Sequence, residues 1–401
     1  MDLDFDSGAE EFRAEVREFL RANVPATPLP SMDTRAGFEA HRAWERTMAE
    51  ARLSVVAWPA EFGGRDASLL EWVLFEEEYY AAGAPGRVSQ NGIFLLAPTL
   101  FEHGTPEQLG RILPRMARGD DIWAQAWSEP EAGSDLAGIR STARRTNGGW
   151  ILDGQKTWSS RAAYADWAFG LFRSDPAAVS DGADAGPSVV TQAAASGSDR
   201  IRPARHRGLT YVMFPLTADG VTVRPIPQLD GEPGFAELFL DSVFVPDRDV
   251  IGEPDNGWQV AMATSSNERG LSLRSPGRFT ATAGRLLELW RETADPADTA
   301  ARNAVVDCWI GAEAYRLATW GTVTRLGEGG KLGAESSVNK VFWSELDIAL
   351  HETALDLLGA GAERSGPWTD GYLFSLAGPI YAGTNEIQRN IVAERLLGLP
   401  R

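Results

Sequence analysis

Apolar positions over the first 118 residues recur at helical spacing. Phe12, Val16, Phe19 and Leu20 mark one face of an early helix whose other positions are acidic or basic. Pro25, Pro28 and Pro30 interrupt that period, and a second helix is predicted over 38–52. Residues 58–64, W-P-A-E-F-G-G, read as a Pro/Gly loop, either a connector or the lip of a cavity. Leu70, Val73, Leu74, Phe75, Tyr79 and Tyr80 predict a buried helix over 69–82, and two more are predicted over 91–103 and 106–116, the last opening on a proline at its first turn.

From Ile122 the pattern changes to short apolar runs bounded by Gly, Asn and Asp. Runs at 150–152, 167–172, 211–216, 221–226, 235–240 and 243–245 are predicted strands, and Asp153-Gly154 reads as a turn dipeptide. After Gly257 the helical period returns. Trp258, Met262, Leu271 and Leu273 fall in one long segment with kinks expected at Gly270 and Pro276. Helical runs at 286–290, 305–317 and 338–358 follow, then a Gly-rich break at 359–366. Asn385, with Gln388 three residues on, opens a final helix through Ile387, Ile391, Val392 and Leu396.

The order helices, strands, helices predicts an α+β protein. It has an N-terminal helical domain at 1–118, a barrel-like middle β domain at 119–247 and a C-terminal helical bundle at 248–401. Inside the middle domain, residues 174–206 carry an Ala/Ser/Gly/Asp tract with little to bury, read as a flexible insertion. Arg200, Arg202, Arg205 and Arg207 close it, either to meet a phosphate or to form a solvated turn.

Composition narrows the function. A chain of 401 residues with 43% hydrophobic content can bury large cores. A net charge of −18 argues against nucleic-acid binding, which needs a basic face. An anionic ligand would need local arginines, helix N-termini or backbone nests. The single cysteine, Cys308, sits in an apolar helical run and is read as a small buried side chain, in keeping with a reducing cytoplasm. Met1 is followed by Asp2, Asp4 and Asp6 rather than by a basic segment, so no signal peptide is expected. No apolar run of about 18 residues predicts a membrane span, and no metal site is expected.

Two stretches carry the candidate chemistry. Residues 125–135 read Q-A-W-S-E-P-E-A-G-S-D, with Gly133 beside Ser134 in a turn that lets backbone N–H groups approach a flat or anionic ligand. Residues 154–160 read G-Q-K-T-W-S-S. Trp127 and Trp158 offer rigid aromatic faces to a planar ring. On chemistry alone, one polar rim around a flat cofactor and two ordinary surface loops are equally open readings.

The first stretch resembles the E-P-x-A-G-S-D signature of the acyl-CoA dehydrogenase family, and Trp158-Ser159-Ser160 resembles its W-x-[S/T] flavin loop. W-P-A-E-F-G-G at 58–64 and Y-A-G-T-N-E-I-Q-R at 381–389 match further family motifs in the expected order. The resemblance implies an N-terminal helical domain, a middle β-barrel and a C-terminal four-helix bundle, with FAD as cofactor. It implies an acyl-CoA substrate, electron-transfer flavoprotein as the acceptor, and a homo- or hetero-oligomer, dimer or tetramer. It places Gln125, Ala126, Trp127, Ser128, Gly133, Ser134, Trp158, Ser159 and Ser160 along FAD, with the Ser128 and Ser160 hydroxyls near the flavin ring. Ser134 falls where the FAD diphosphate meets pantetheine, and Thr384 and Glu386 at the adenosine diphosphate end.

The implied reaction is α,β-dehydrogenation of an acyl thioester. A carboxylate must take a weakly acidic α proton while donors steady charge on the thioester oxygen. In many members that carboxylate is the Glu of Y-E-G-T, but here the position is Ala382. Other members carry the base in an E-R pair on the first long C-terminal helix, and Glu268-Arg269 occupies the matching place. Glu268 is therefore the candidate base, against the reading of a solvent-facing salt bridge. Ala382 retains the backbone N–H that the resemblance assigns to the oxyanion. Arg269 would face the CoA phosphates or form a structural ion pair. Arg325, Asp356 and Gly359 stand where a neighbouring subunit completes the adenine half of FAD, though the family's R-x-x-F-G element and its Gln are absent. That departure resembles actinobacterial sterol side-chain dehydrogenases, several of which pair two different chains. Three rival expectations stand beside this one: a dehydrogenase of carrier-protein-bound acyl groups, a catalytically incomplete partner subunit, and a flavin oxidase or monooxygenase on the same fold.

Overall fold

The computed structural model describes residues 5–174, 204–270, 273–330 and 332–400, with backbone alone at 204 and 267–270. Most of the insertion expected at 174–206, including Arg200 and Arg202, lies outside the described residues. In chain order the helices are α1 (Ser7–Asn23), α2 (Arg35–Glu50), α3 (Leu69–Ala81), α4 (Ala97–His103) and α5 (Pro106–Ala117). The strands follow as β1 (Trp123–Ala126), β2 (Thr142–Thr146), β3 (Gly149–Ser160), β4 (Trp167–Arg173), β5 (Leu209–Pro215), β6 (Val221–Ile226), β7 (Phe235–Pro246) and β8 (Val250–Ile251). Then come α6 (Gly257–Gly270), α7 (Pro276–Thr293), α8 (Thr299–Gly327), α9 (Glu335–Leu358), α10 (Pro367–Ser375) and α11 (Asn385–Ile391).

The chain divides into a helical unit, Met1–Pro30, Trp44–Gly86 and Ser266–Arg401, and a sheet unit, Ser31–Ala43 and Arg87–Ser265. In the helical unit the predicted stripe of α1 is the buried one: Phe12, Val16 and Leu20 pack with Trp44, Met48, Phe75 and Tyr79. Asp6 caps this helix by accepting from the Ala9 N–H at 2.8 Å. Helices α7, α8 and α9 enclose a second core of Phe279, Leu286, Val305, Tyr315, Leu346 and Leu350, and Cys308 is buried there as its apolar context predicts. The segment predicted as one long helix after Gly257 is two. Helix α6 ends at Gly270 and α7 starts at Pro276, which is pre-set for a first turn and cannot continue a helix before it.

The sheet unit is built on one eight-stranded sheet in the order β6-β7-β3-β2-β4-β5-β8, with β1 added parallel to β4. Alternation buries Ala236, Leu238 and Leu240 on β7, then changes phase to Val243 and Val245. That change is why the sequence predicts two strands where one runs. Leu152 pairs with Val243 and Gly154 with Leu240, so Asp153 faces both Asp241 and Ser242 in a bulge. Asp153 closes the bulge by accepting from the Ser242 N–H at 2.8 Å. Asp153-Gly154 is accordingly not a turn. Gly154 adopts φ +143°, and a Cβ there would lie 2.3 Å from Ser141 Oγ. Among the described residues, no helix is long and apolar enough to cross a membrane and no cluster of His, Cys, Asp and Glu is arranged to hold a metal.

Candidate active site

Strand β1 ends at Ala126 and delivers the chain into the loop at 127–135. Glu129 is the anchor of that loop. Its backbone exchanges hydrogen bonds with Ala132 at 2.9 and 3.0 Å, closing a tight turn around Pro130. Its carboxylate points inward, where it accepts from the Arg140 N–H at 2.6 Å, the Ser141 N–H at 3.0 Å and Lys156 Nζ at 2.8 Å. Lys156, fully buried on β3, also donates to Leu171 O at 2.7 Å and Trp127 O at 3.4 Å, with Phe172 on its flank at 4.6 Å. Burial alone would push the Glu129 carboxyl up. The Lys156 ammonium and the N–H donors outweigh that and hold it below its ordinary value. A further bond, from Thr157 N–H to Ser128 O at 2.9 Å, stitches the two motif stretches together. Sequence reasoning singled out neither Glu129 nor Lys156. The signal was available, because each sits inside one of the two motifs.

At the far end of β3 the ladder to β7 slips between Lys156 and Ser159. Trp158 takes φ +58° in that slip and is 58% exposed, braced edge-on by Phe235 at 5.8 Å. A non-glycine residue in the left-handed region, presenting a bare indole, costs free energy that packing within the strand does not recover. Next to it Ser159 is fully buried, and its hydroxyl has no hydrogen-bond partner among the described residues. Ser128 and Ser160 are half-buried, while Gly133 and Ser134 are exposed at the loop tip. An open aromatic face beside an orphaned hydroxyl fits a flat cofactor with a polar edge. Behind this rim Trp127 Nε1 donates to the Tyr211 hydroxyl at 3.1 Å. That hydroxyl lies 3.2 Å from Thr264 Oγ1, itself 2.8 Å from Thr99 Oγ1. Thr264 belongs to α6, four residues before Glu268. The side chains of Glu268 and Arg269 lie outside the described residues. Arg205 pairs with Asp135 at 2.6 Å, beside the loop tip.

In the helical unit the second group is the turn at 381–384. Ala382 and Gly383 both take positive φ, +55° and +78°. Gln388 Nε2 donates to Ala382 O at 3.1 Å and Gly383 O at 3.4 Å. Lys340 Nζ donates to Gly378 O at 2.9 Å and Asn385 Oδ1 at 2.8 Å, and Ser344 Oγ donates to the same Asn385 oxygen at 3.1 Å. The backbone N–H groups of Ala382, Gly383 and Thr384 have no acceptor among the described residues. These N–H groups are therefore open to solvent or to a ligand oxygen. Helix α11 opens at Asn385 as the sequence predicts, and Thr384 caps it by accepting from the Ile387 N–H at 3.3 Å, while the Asn385 side chain is committed to Lys340 and Ser344. Glu386 is exposed in the first turn, its carboxyl held below the ordinary value by its own N–H and the Thr384 hydroxyl. A Cβ at Gly383 would sit 2.6 Å from Gln388 Nε2 at φ +78°, so a side chain there would strain the backbone and push the Gln388 amide from its carbonyls. Gly383→Ala is expected to cost about 1–3 kcal/mol, read as a lowered thermal transition together with weaker FAD retention.

Of the residues assigned to a neighbouring subunit's cofactor, Arg325 is half-exposed and ion-paired with Glu335 at 2.6 Å. Asp356 and Gly359 are exposed at the end of α9.

Comparison with known proteins places these two groups in one family. Models described as the acyl-CoA dehydrogenase N-terminal, middle and C-terminal domains match residues 7–120, 124–195 and 255–397. The acyl-CoA dehydrogenase IpdE1 of Mycolicibacterium smegmatis is 38% identical over 98% of both chains. Among solved structures, the Tcur3481-Tcur3483 steroid acyl-CoA dehydrogenase superposes with a TM-score of 0.82 at 25% identity, covering 100% of both chains. The ChsE4-ChsE5 complex from Mycobacterium tuberculosis superposes at 0.79 with 27% identity, again over 100% of both. The chain therefore belongs to the acyl-CoA dehydrogenase family, as an FAD-dependent flavoprotein oxidoreductase with the family's three-domain fold.

Proposed function

We propose that Glu268 removes the α proton of an acyl-CoA thioester while the Ala382 N–H steadies the negative charge that develops on the thioester oxygen. FAD supplies the acceptor for the hydride leaving the β carbon. The observation that carries this reading is the turn at 382. Its side chain cannot take a proton, yet its N–H has no acceptor among the described residues, in a conformation held by hydrogen bonds rather than by local preference. The chain thus keeps the electrostatic half of the chemistry at this loop and needs its carboxylate elsewhere, and Glu268 is the acid at the alternative family position. Trp158 and the Ser159 hydroxyl would lie against the ring system, Ser134 and Arg269 toward CoA, and Thr384 and Glu386 toward the adenosine diphosphate end. Arg325, Asp356 and Gly359 would face a neighbouring subunit's cofactor. The domain boundaries at 118 and 247 belong to this proposal, as does a cytoplasmic location.

The likeness to a steroid acyl-CoA dehydrogenase named for two chains makes a steroid-derived acyl-CoA the first substrate class to test and a second, different chain the first partner. Electron-transfer flavoprotein is the proposed acceptor. The test is the visible flavin spectrum of the purified chain, titrated with octanoyl-CoA, a branched acyl-CoA and a steroid side-chain acyl-CoA. Bleaching by at least one of them is expected. A colourless protein that turns yellow only when co-expressed with a second chain would instead support the incomplete-partner reading.

A further inference from the structure

We propose that Gln388 is a positioning residue whose side-chain amide holds the Ala382 N–H at its working angle. The proposal rests on the oxyanion role of Ala382 and adds what keeps that donor in place. An L-residue in the left-handed region costs about 1–2 kcal/mol, so Ala382 stays at φ +55° only because its surroundings over-determine it. Two backbone bonds anchor the ends of the turn: Tyr381 N–H to Ala377 O at 3.1 Å, and Asn385 N–H to Pro379 O at 2.8 Å. Between those anchors the Ala382 and Gly383 peptides are gripped from one side by Gln388 Nε2. Peptide units are planar and rigid, so fixing the Ala382 and Gly383 carbonyls also fixes the Gly383 and Thr384 N–H groups in the same planes. With the Ala382 carbonyl held on one side and the Tyr381 N–H anchored on the other, the short stretch between them confines the Ala382 N–H. Gln388 is 6% exposed, so water does not compete for its amide. The amide is also the right chemistry. A carboxylate could not donate to either carbonyl and would place a negative charge near the site where the oxyanion forms.

Gln388→Met and Gln388→Glu test this. For Gln388→Met the expected result is a chain that keeps FAD, with Ala382 out of the left-handed region in its crystal structure. Its flavin reduction by whichever acyl-CoA bleaches the wild type should be slowed about 10²-fold with KM little changed. Gln388→Glu should be slow at neutral pH and recover as acid protonates the new carboxyl, which then donates again. The wild type should show no such recovery. Retention of Ala382 near its present φ in Gln388→Met, with reduction at the wild-type rate, would overturn the proposal. A turn that moves while the rate does not would overturn the oxyanion role of Ala382 instead. Should Gln388→Met lose FAD, Gln388→Asn, which keeps an amide donor, is the second variant. Equal loss of FAD and thermal stability in both would reduce Gln388 to a packing role and also overturn the proposal.

Discussion

Glu268→Gln is expected to keep FAD bound and yet leave the visible flavin band unbleached when acyl-CoA is added, with a loss in rate of about 10⁴-fold. The amide matches the carboxyl in shape, so binding should survive, but it cannot accept a proton at neutral pH. An ordinary glutamate has a pKa of about 4.3 and is a weak base toward a thioester α proton. Enclosure by the acyl chain and the ring system would raise it into a useful range. Residue 382 offers no reserve base, being alanine. A double variant, Glu268→Gln with Ala382→Glu, is therefore expected to recover part of the activity by restoring the acid at the commoner family position. Wild-type bleaching by Glu268→Gln alone would sink the assignment of the base, and a dead double variant would argue that the turn at 382 cannot present a carboxylate to the α carbon.

Lys156→Met should produce the largest loss of stability. It leaves the Glu129 carboxylate buried, 8% exposed as a residue, without the Lys156 ammonium that pairs with it at 2.8 Å. Breaking one side of such a pair typically costs about 3–5 kcal/mol, whereas replacing both partners is far cheaper. The double variant Glu129→Gln with Lys156→Met is thus expected to recover much of the loss, measured by denaturant unfolding in a double-mutant cycle. The functional consequence is specific. The pair ties the loop at 127–135 to β3, so the single variant should shed FAD before it unfolds globally. The acid dependence has a definite sign. Glu129 is held below the ordinary carboxyl value in the folded chain, so its stabilising contribution is complete above that ordinary value and lost as pH falls through the lower folded one. Glu129→Gln should flatten this part of the stability profile. An unchanged acid limb in that variant would mean other carboxylates carry it.

Much of the fold was legible in the chain. The α1 stripe of Phe12, Val16 and Leu20, the strands from Trp167 onward and the long helix ending at Leu358 follow from periods of 3.6 and 2, because burial on one face imposes them. The misreadings share a cause. Asp153-Gly154 has the composition of a turn but is a bulge, since β7 continues opposite it for its full length. Residues 235–240 and 243–245 have the pattern of two strands but form one, because the same bulge against β3 shifts the buried phase within β7. In each case a partner distant along the chain outweighed a local preference worth about 1 kcal/mol.

By itself, then, the sequence determined the element types, the buried faces and the order of the family motifs, since these depend on residue spacing and on short strings of adjacent residues. Only the tertiary structure decided how those motifs are held. It buried Lys156 against Glu129, left the Ser159 hydroxyl without a partner among the described residues, and bent Ala382 into a left-handed turn under the Gln388 amide. The physical reason is that hydrogen bonds and ion pairs act over about 3 Å in space, and separation along a chain does not say which groups will come that close.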